Sequence, residues 1–107
     1  MVTRPLPSLT AIKAFEAAAA QLSVTRGAEV LGVTPGAISQ QIRDLERDLA
    51  VSLFTRTPGG LVLTEAGEIL FAAARDGLDR IAAGVRQVRR AIPRRPLSVG
   101  AYTHFAS

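Results

Sequence analysis

Apolar positions recur along the chain with two different periods, and the changes of period divide it into elements. Leu9, Ile12, Phe15, Ala19 and Leu22 are three or four residues apart, and Ser8 is placed to cap the helix they predict. Ser23-Val24-Thr25 interrupts the pattern. Thr25 is read as the N-cap of a short second helix through Val30 and Leu31, closed by Gly32. Thr34 followed by Pro35 predicts a third helix, because proline suits a first helical position whose N–H lacks an intrahelical partner. It runs to about Leu49, with Ile38, Ile42, Leu45 and Leu49 on one face. Leu53-Phe54-Thr55-Arg56 and Leu61-Val62-Leu63 then flank Thr57-Pro58-Gly59-Gly60, the pattern of a small β-hairpin. Thr64 caps a long fourth helix from Glu65 to Ala91, about 40 Å at 1.5 Å per residue. Acidic Glu65 and Glu68 at its start and Arg86, Arg89 and Arg90 at its end complement the helix dipole.

The second and third helices are joined by a turn of three or four residues, which is helix-turn-helix spacing. A hairpin directly after the second helix of such a pair makes a winged helix. The expected fold is mainly α: a winged helix-turn-helix over 1–63, a linker helix over 64–92, and a tail over 93–107. Along the linker helix, Phe71, Ala74, Leu78, Ile81, Val85, Val88 and Ile92 alternate spacings of three and four. That heptad seam predicts a contact with the same helix of a second chain, because so small a domain cannot cover a 40 Å helix alone. Pro93 and Pro96 stop the helix, and Leu97 to Tyr102 alternates like a strand with nothing to pair with, as the stub of a further domain would.

At 107 residues the chain is long enough for one domain with a small core. The absence of cysteine excludes disulfides, thiolate zinc sites and thiol nucleophiles. There is no signal-peptide pattern and no long apolar run, so a soluble, cytoplasmic chain is expected. The net charge of +4 is unevenly placed: Arg86, Arg89, Arg90, Arg94 and Arg95 provide +5, and residues 1–84 sum to −1. A basic balance often marks nucleic-acid binding, but here it points at the tail and not at the body.

The blocks Leu9-x-x-Ile12-x-x-Phe15, Thr25-Arg26-Gly27-Ala28-Glu29-Val30-Leu31 and Thr34-Pro35-Gly36-Ala37-Ile38-Ser39-Gln40-Gln41-Ile42-Arg43-Asp44-Leu45-Glu46 occur in order. Leu53-Phe54-x-Arg56 and Leu63-Thr64-x-Ala66-Gly67 complete the set. With these blocks the chain resembles the N-terminal part of LysR-type transcriptional regulators. Arg4-Pro5-Leu6-Pro7-Ser8-Leu9 with Phe15-Glu16-Ala17-Ala18-Ala19 is similar to the branch that holds the glycine-cleavage activator and the beta-lactamase regulators. The resemblance implies a dimeric reader of double-stranded DNA, with an interrupted palindrome as operator and the effector domain missing. Tetramers would belong to a full-length form, and no small-molecule effector, membrane or cofactor is expected for this stretch. Three positions depart from the family pattern. Gly27 stands where a small helix former such as Ala is usual, Ala50 where Gly closes the third helix, and the uncharged Pro58-Gly59-Gly60 where the wing tip is often basic.

Opposite Ile38, Ile42 and Leu45, the third helix carries Gly36, Ser39, Gln40, Arg43 and Arg47. Gln pairs bidentately with adenine, Arg with guanine, and Ser with base or phosphate, whereas Arg47, about three turns in, is placed to reach only phosphate. The plain alternative is a solvated face on which Arg43 and Arg47 answer Asp44, Glu46 and Asp48. Thr34, Pro35 and Gly36 would let the helix N-terminus approach DNA, although capping explains them almost as well. Thr25, Arg26 and Arg56 are candidates for phosphate, against a capping role for Thr25 and a surface ion pair for Arg56. The Arg86 to Arg95 cluster is read as helix capping and hinge. His104 has no partner for catalysis or metal binding, and neither a phosphate loop nor a nucleophile elbow occurs, so an enzyme is not expected. Two other classes remain open: a dimerising module that titrates partners, and a sequence-blind architectural protein using the C-terminal arginines.

Overall fold

The structure is a computed structural model that describes residues 5–92; the expected hinge and strand at 93–107 lie outside the described residues. Its elements are α1 (Leu9–Gln21), α2 (Val24–Leu31), α3 (Pro35–Leu49), β1 (Phe54–Thr57), β2 (Gly60–Leu63) and α4 (Glu65–Ala91). This is the expected winged helix-turn-helix followed by a long helix.

Helix α1 starts where Ser8 accepts a hydrogen bond from the Ala11 N–H at 3.1 Å. Its buried face differs from the expected stripe. Leu9 and Leu22 are 56% and 50% exposed, whereas Ala11, Ala14, Phe15, Ala17, Ala18 and Ala19 are buried. Small side chains win that face because α2, α3 and α4 all pack against this helix. Leu22 sits past the helix end in the left-handed region (φ 48°), which carries its side chain off the face. The chain then re-enters a helix at once, so Ser23 and not Thr25 is the N-cap of α2, accepting from the Arg26 N–H at 3.1 Å. Thr25 thereby becomes an exposed first-turn residue.

Gly27 explains itself in the crossing of α2 over α1. A Cβ there would lie 2.8 Å from both Cα and N of Ala18, which is backbone and cannot swing aside. The propensity cost of glycine in a helix is thus offset by a closer crossing than alanine allows. Helix α3 begins with Thr34 accepting from the Ala37 N–H at 3.1 Å. It buries Ile38, Ile42 and Leu45, but Leu49, expected on the same face, is 40% exposed because it lies in the last turn, beyond the packed body. Ala50 closes α3 at φ 57°, where a family member would more often have glycine. L-residues are strained in that region by about 1–2 kcal/mol.

Two apolar clusters form the core. One joins Ala11, Phe15, Ala19, Leu45 and Leu53, with Leu63 and Phe71 packed against it; the other joins Ala14, Ala18, Ala28, Ile38 and Ile42. Phe54 touches both, its ring 5.4 Å from that of Phe15. The hairpin is antiparallel, with Phe54 opposite Leu63 and Thr57 opposite Gly60. Its turn is therefore only Pro58-Gly59, and Leu53, expected in the first strand, belongs instead to the core.

The start of α4 is clamped to the loop before the wing. The Thr64 hydroxyl donates to the Ser52 carbonyl at 2.7 Å and accepts from the Gly67 N–H at 3.0 Å, while the Thr64 N–H donates to the Leu53 carbonyl at 3.0 Å. A Cβ on Gly67 would fall on that same Leu53 carbonyl oxygen. Along the seam, Phe71 packs on the core, Ala74 is buried and Leu78 is half-buried. Ile81, Val85 and Val88 are exposed, as is Ile92 just past the helix end. No helix among the described residues is long and apolar enough to cross a membrane.

Three substitutions test this packing by denaturant midpoint. Gly27→Ala and Gly67→Ala are each expected to cost about 1–3 kcal/mol, because the new methyl meets backbone. Ala50→Gly is expected to stabilise by about 0.5–1 kcal/mol through relief of the left-handed backbone.

Candidate nucleic-acid interface

The three buried residues Ile38, Ile42 and Leu45 anchor α3 on one side, and its other side faces out. Thr34, Pro35, Gly36, Gln40 and Arg43 are exposed there, and Ser39 is half-buried at the edge. Ser39, Arg43 and Glu46 line a cleft between α3 and the wing together with Val24, Phe54, Arg56 and Leu61. A second cleft, between the start of α2 and the wing, is lined by Ser23, Thr25, Arg56, Thr57 and Gly60. Arg56 lines both, so it links the two groups of candidates. Arg26 is exposed on the first turn of α2 but lines neither cleft. An exposed α3 flanked by donors suits a groove with negative walls: side chains reach inward to base edges, and flanking N–H and hydroxyl groups meet phosphate.

The acidic residues of α3 divide their work. Glu46 does not answer an arginine; its carboxylate accepts from the Leu53 N–H at 2.8 Å and the Phe54 N–H at 3.4 Å. It satisfies two backbone donors at the joint where α3 hands over to the wing, and so sets the angle between them. Asp44 instead organises the exposed face. It accepts from the Gln40 side-chain amide at 2.8 Å and from Arg47 at 3.0 Å, the latter the ion pair found among the described residues. The Gln40 carbonyl oxygen in turn accepts from Arg43 at 3.0 Å. Arg43 is thus bound to an amide and not, as the solvated-face alternative has it, to a carboxylate. Arg47 does follow that alternative.

Neither Asp44 nor Glu46 stood out as functional in the sequence. For Asp44 the usable signal is spacing, since Gln40 lies four residues before it and Arg47 three after, and such residues are neighbours on a helix. The partners of Glu46 lie seven and eight residues on, across a loop, where no periodicity reveals them.

The hydrogen bond from Gln40, and then that from Arg47, hold the Asp44 carboxyl below the ordinary aspartate range. A lowered folded value means that the network is intact at neutral pH and is lost only as pH falls through that value. Carboxyl-selective NMR titration should therefore find Asp44 titrating lower than an unperturbed aspartate, and Gln40→Ala and Arg47→Ala should each move it back up.

The comparisons with known proteins agree with this architecture. The model of the bacterial regulatory helix-turn-helix proteins of the lysR family matches residues 9–68. The transcriptional activator AmpR of Pseudomonas aeruginosa is 44% identical over 104 residues, covering 97% of this chain and 35% of that protein. The glycine cleavage system transcriptional activator of Escherichia coli is 36% identical over 105 residues, covering 98% and 34%. The chain thus spans about a third of the length of these relatives. Among solved structures, the BenM_DBD/catB site 1 DNA complex superposes with a TM-score of 0.74 at 25% identity, over 79% of this chain and 96% of that one. With more than half of its residues inside the family model, and with a winged helix-turn-helix whose α3 is anchored on one side and exposed on the other, this chain belongs to the LysR family of bacterial regulatory helix-turn-helix proteins.

Proposed function

We propose that the chain is the DNA-reading part of a cytoplasmic transcriptional regulator, and that it binds an interrupted palindromic operator as a homodimer. The function is one of binding, with no catalytic step. The observation that carries the reading is the exposed flank of α3: Pro35, Gly36, Gln40 and Arg43 project opposite a buried face that holds the helix rigid. The solved DNA complex of a structural neighbour supports it. Gln40 and Arg43 are assigned to base edges and Ser39 to base or phosphate. Thr34 is assigned to the close approach of the helix N-terminus. Thr25, Arg26 and Arg56 are assigned to phosphate, where they position the domain without carrying sequence information.

Dimerisation is assigned to the α4 seam from Phe71 to Ile92. Phe71 and Ala74 also serve the protomer's own core, so Ile81, Val85, Val88 and Ile92 present the free apolar surface. Pairing two such helices sets two copies of α3 at a fixed separation, and a two-fold protein then reads two half-sites.

Selection from a randomised duplex pool, followed by anisotropy titrations, tests the reading. An interrupted palindrome should be enriched. Gln40→Ala and Arg43→Ala should each lose about 1–3 kcal/mol and relax preference at one position per half-site. Arg56→Ala should weaken every duplex alike and lower the salt slope by about one. Binding without enrichment, with a steep salt slope, would instead favour sequence-blind charge attraction. Sedimentation tests the dimer: Val85→Glu with Val88→Glu should give a monomer with the helical circular dichroism of the folded domain, and a monomeric wild-type chain at micromolar concentration would refute the assignment.

A further inference from the structure

The exposed network on α3 has a consequence for specificity that neither the family resemblance nor the composition contains. Gln40, Arg43, Asp44 and Arg47 form one connected chain of hydrogen bonds, with Asp44 accepting two of them. A free glutamine or arginine on a helix surface samples many rotamers, and a free arginine beside DNA takes the nearest phosphate. Here the Gln40 amide is held at both ends: its nitrogen donates to Asp44 and its oxygen accepts from Arg43. Each end still keeps capacity, since the amide nitrogen has a second hydrogen and the oxygen a second lone pair. A donor and an acceptor side by side are what the adenine edge requires in the major groove. Asp44 also fixes which end of the amide is which, because a carboxylate can only accept from the nitrogen. Its charge further holds Arg47 at 3.0 Å, along the helix.

We propose that Asp44 is a specificity-determining positioning residue of this domain: it holds the Gln40 amide, and through it Arg43, in one reading geometry, and keeps Arg47 from non-specific phosphate contact. The inference rests on the DNA-reading assignment above and deepens it. Glu46 lines the same cleft as Ser39 and Arg43, but its carboxylate is engaged by the Leu53 and Phe54 N–H groups and by neither of those side chains. Asp48 makes no side-chain hydrogen bond to Gln40, Arg43 or Arg47 among those found in the described residues. Of the three acidic residues of α3, Asp44 is therefore the one that accepts from exposed side chains of that helix, Gln40 and Arg47.

Asp44→Ala and Asp44→Asn test this in the intact chain. Alanine removes both charge and acceptor, whereas asparagine keeps an acceptor for the Gln40 amide and removes the charge. The position is half-exposed on a helix, so both variants should fold, which circular dichroism and thermal melting check. Each is titrated in a salt series against the operator selected by the wild type and against a scrambled duplex. Each is also put through the same selection. For Asp44→Ala the operator-to-scrambled affinity ratio should fall about tenfold, the size of one well-made base contact. The salt slope on scrambled duplex should steepen by about 0.9, one added phosphate contact. The selected sequences should lose preference at the position sensitive to Gln40→Ala and keep it elsewhere. Asp44→Asn should steepen the slope equally but retain most of that preference. A uniform gain on both duplexes with the ratio and selected bases unchanged overturns the proposal, since Asp44 would then act only as a charge. So does an unchanged ratio with an unchanged slope. A wild type that enriches no sequence removes the DNA-reading assignment itself, and this inference with it.

Discussion

Gly27 lets the backbone of α2 lie against that of α1, and the orientation of α3 follows from this crossing because only Gly32, Val33 and Thr34 separate the two helices. A turn so short leaves little freedom to correct an error upstream. The alanine-rich face of α1 serves the same end, since Ala14 and Ala18 meet Ala28, Ile38 and Ile42 in one cluster. Bulkier residues on either helix would push α2 outward and tilt α3 with it. The exposed flank of α3 therefore owes its direction to small buried residues on other helices.

A second joint links the reading head to the long helix. Leu53 is its centre: its N–H is held by Glu46, its carbonyl by the Thr64 N–H, and its side chain is buried beside Phe15 and Leu45. Gly67 leaves room for that carbonyl against the first turn of α4. The end of α3, the base of the wing and the start of α4 thus share one short segment, Ser52 to Phe54. In a dimer held by α4, the separation of the two reading helices would be set there and not by the wing.

The charges of the helix-turn-helix and wing balance, unlike those of a polycation. Residues 25–57 contain four arginines and four acidic residues, so their formal charge cancels. What matters is the arrangement: Glu46 bound to backbone N–H groups, Asp44 bonded along the helix, and Arg43 bonded to an amide. Low net charge limits sequence-independent attraction, and an ordered set of donors and acceptors leaves recognition to geometry.

Residue order by itself determined the element sequence, because the apolar period, the Ser8 and Thr34 caps, Pro35 and the Thr64 cap are local signals that act within one helical turn. It also determined which residues face out from α3, since burying Ile38, Ile42 and Leu45 fixes the opposite flank by helical geometry. Tertiary structure decided the rest. Two hydroxyls competed for the start of α2, and Ser23 prevailed over Thr25 because Leu22 turns left-handed immediately before it. The leucines at the ends of α1 yielded the core to alanines because interhelical distance, which no periodicity encodes, selects side-chain size. Gly27, a liability when read along the helix, became a requirement only across it. Glu46 and Asp44 likewise acquired their different roles from what lies opposite each carboxylate in space: backbone N–H groups for one, the Gln40 amide and the Arg47 guanidinium for the other.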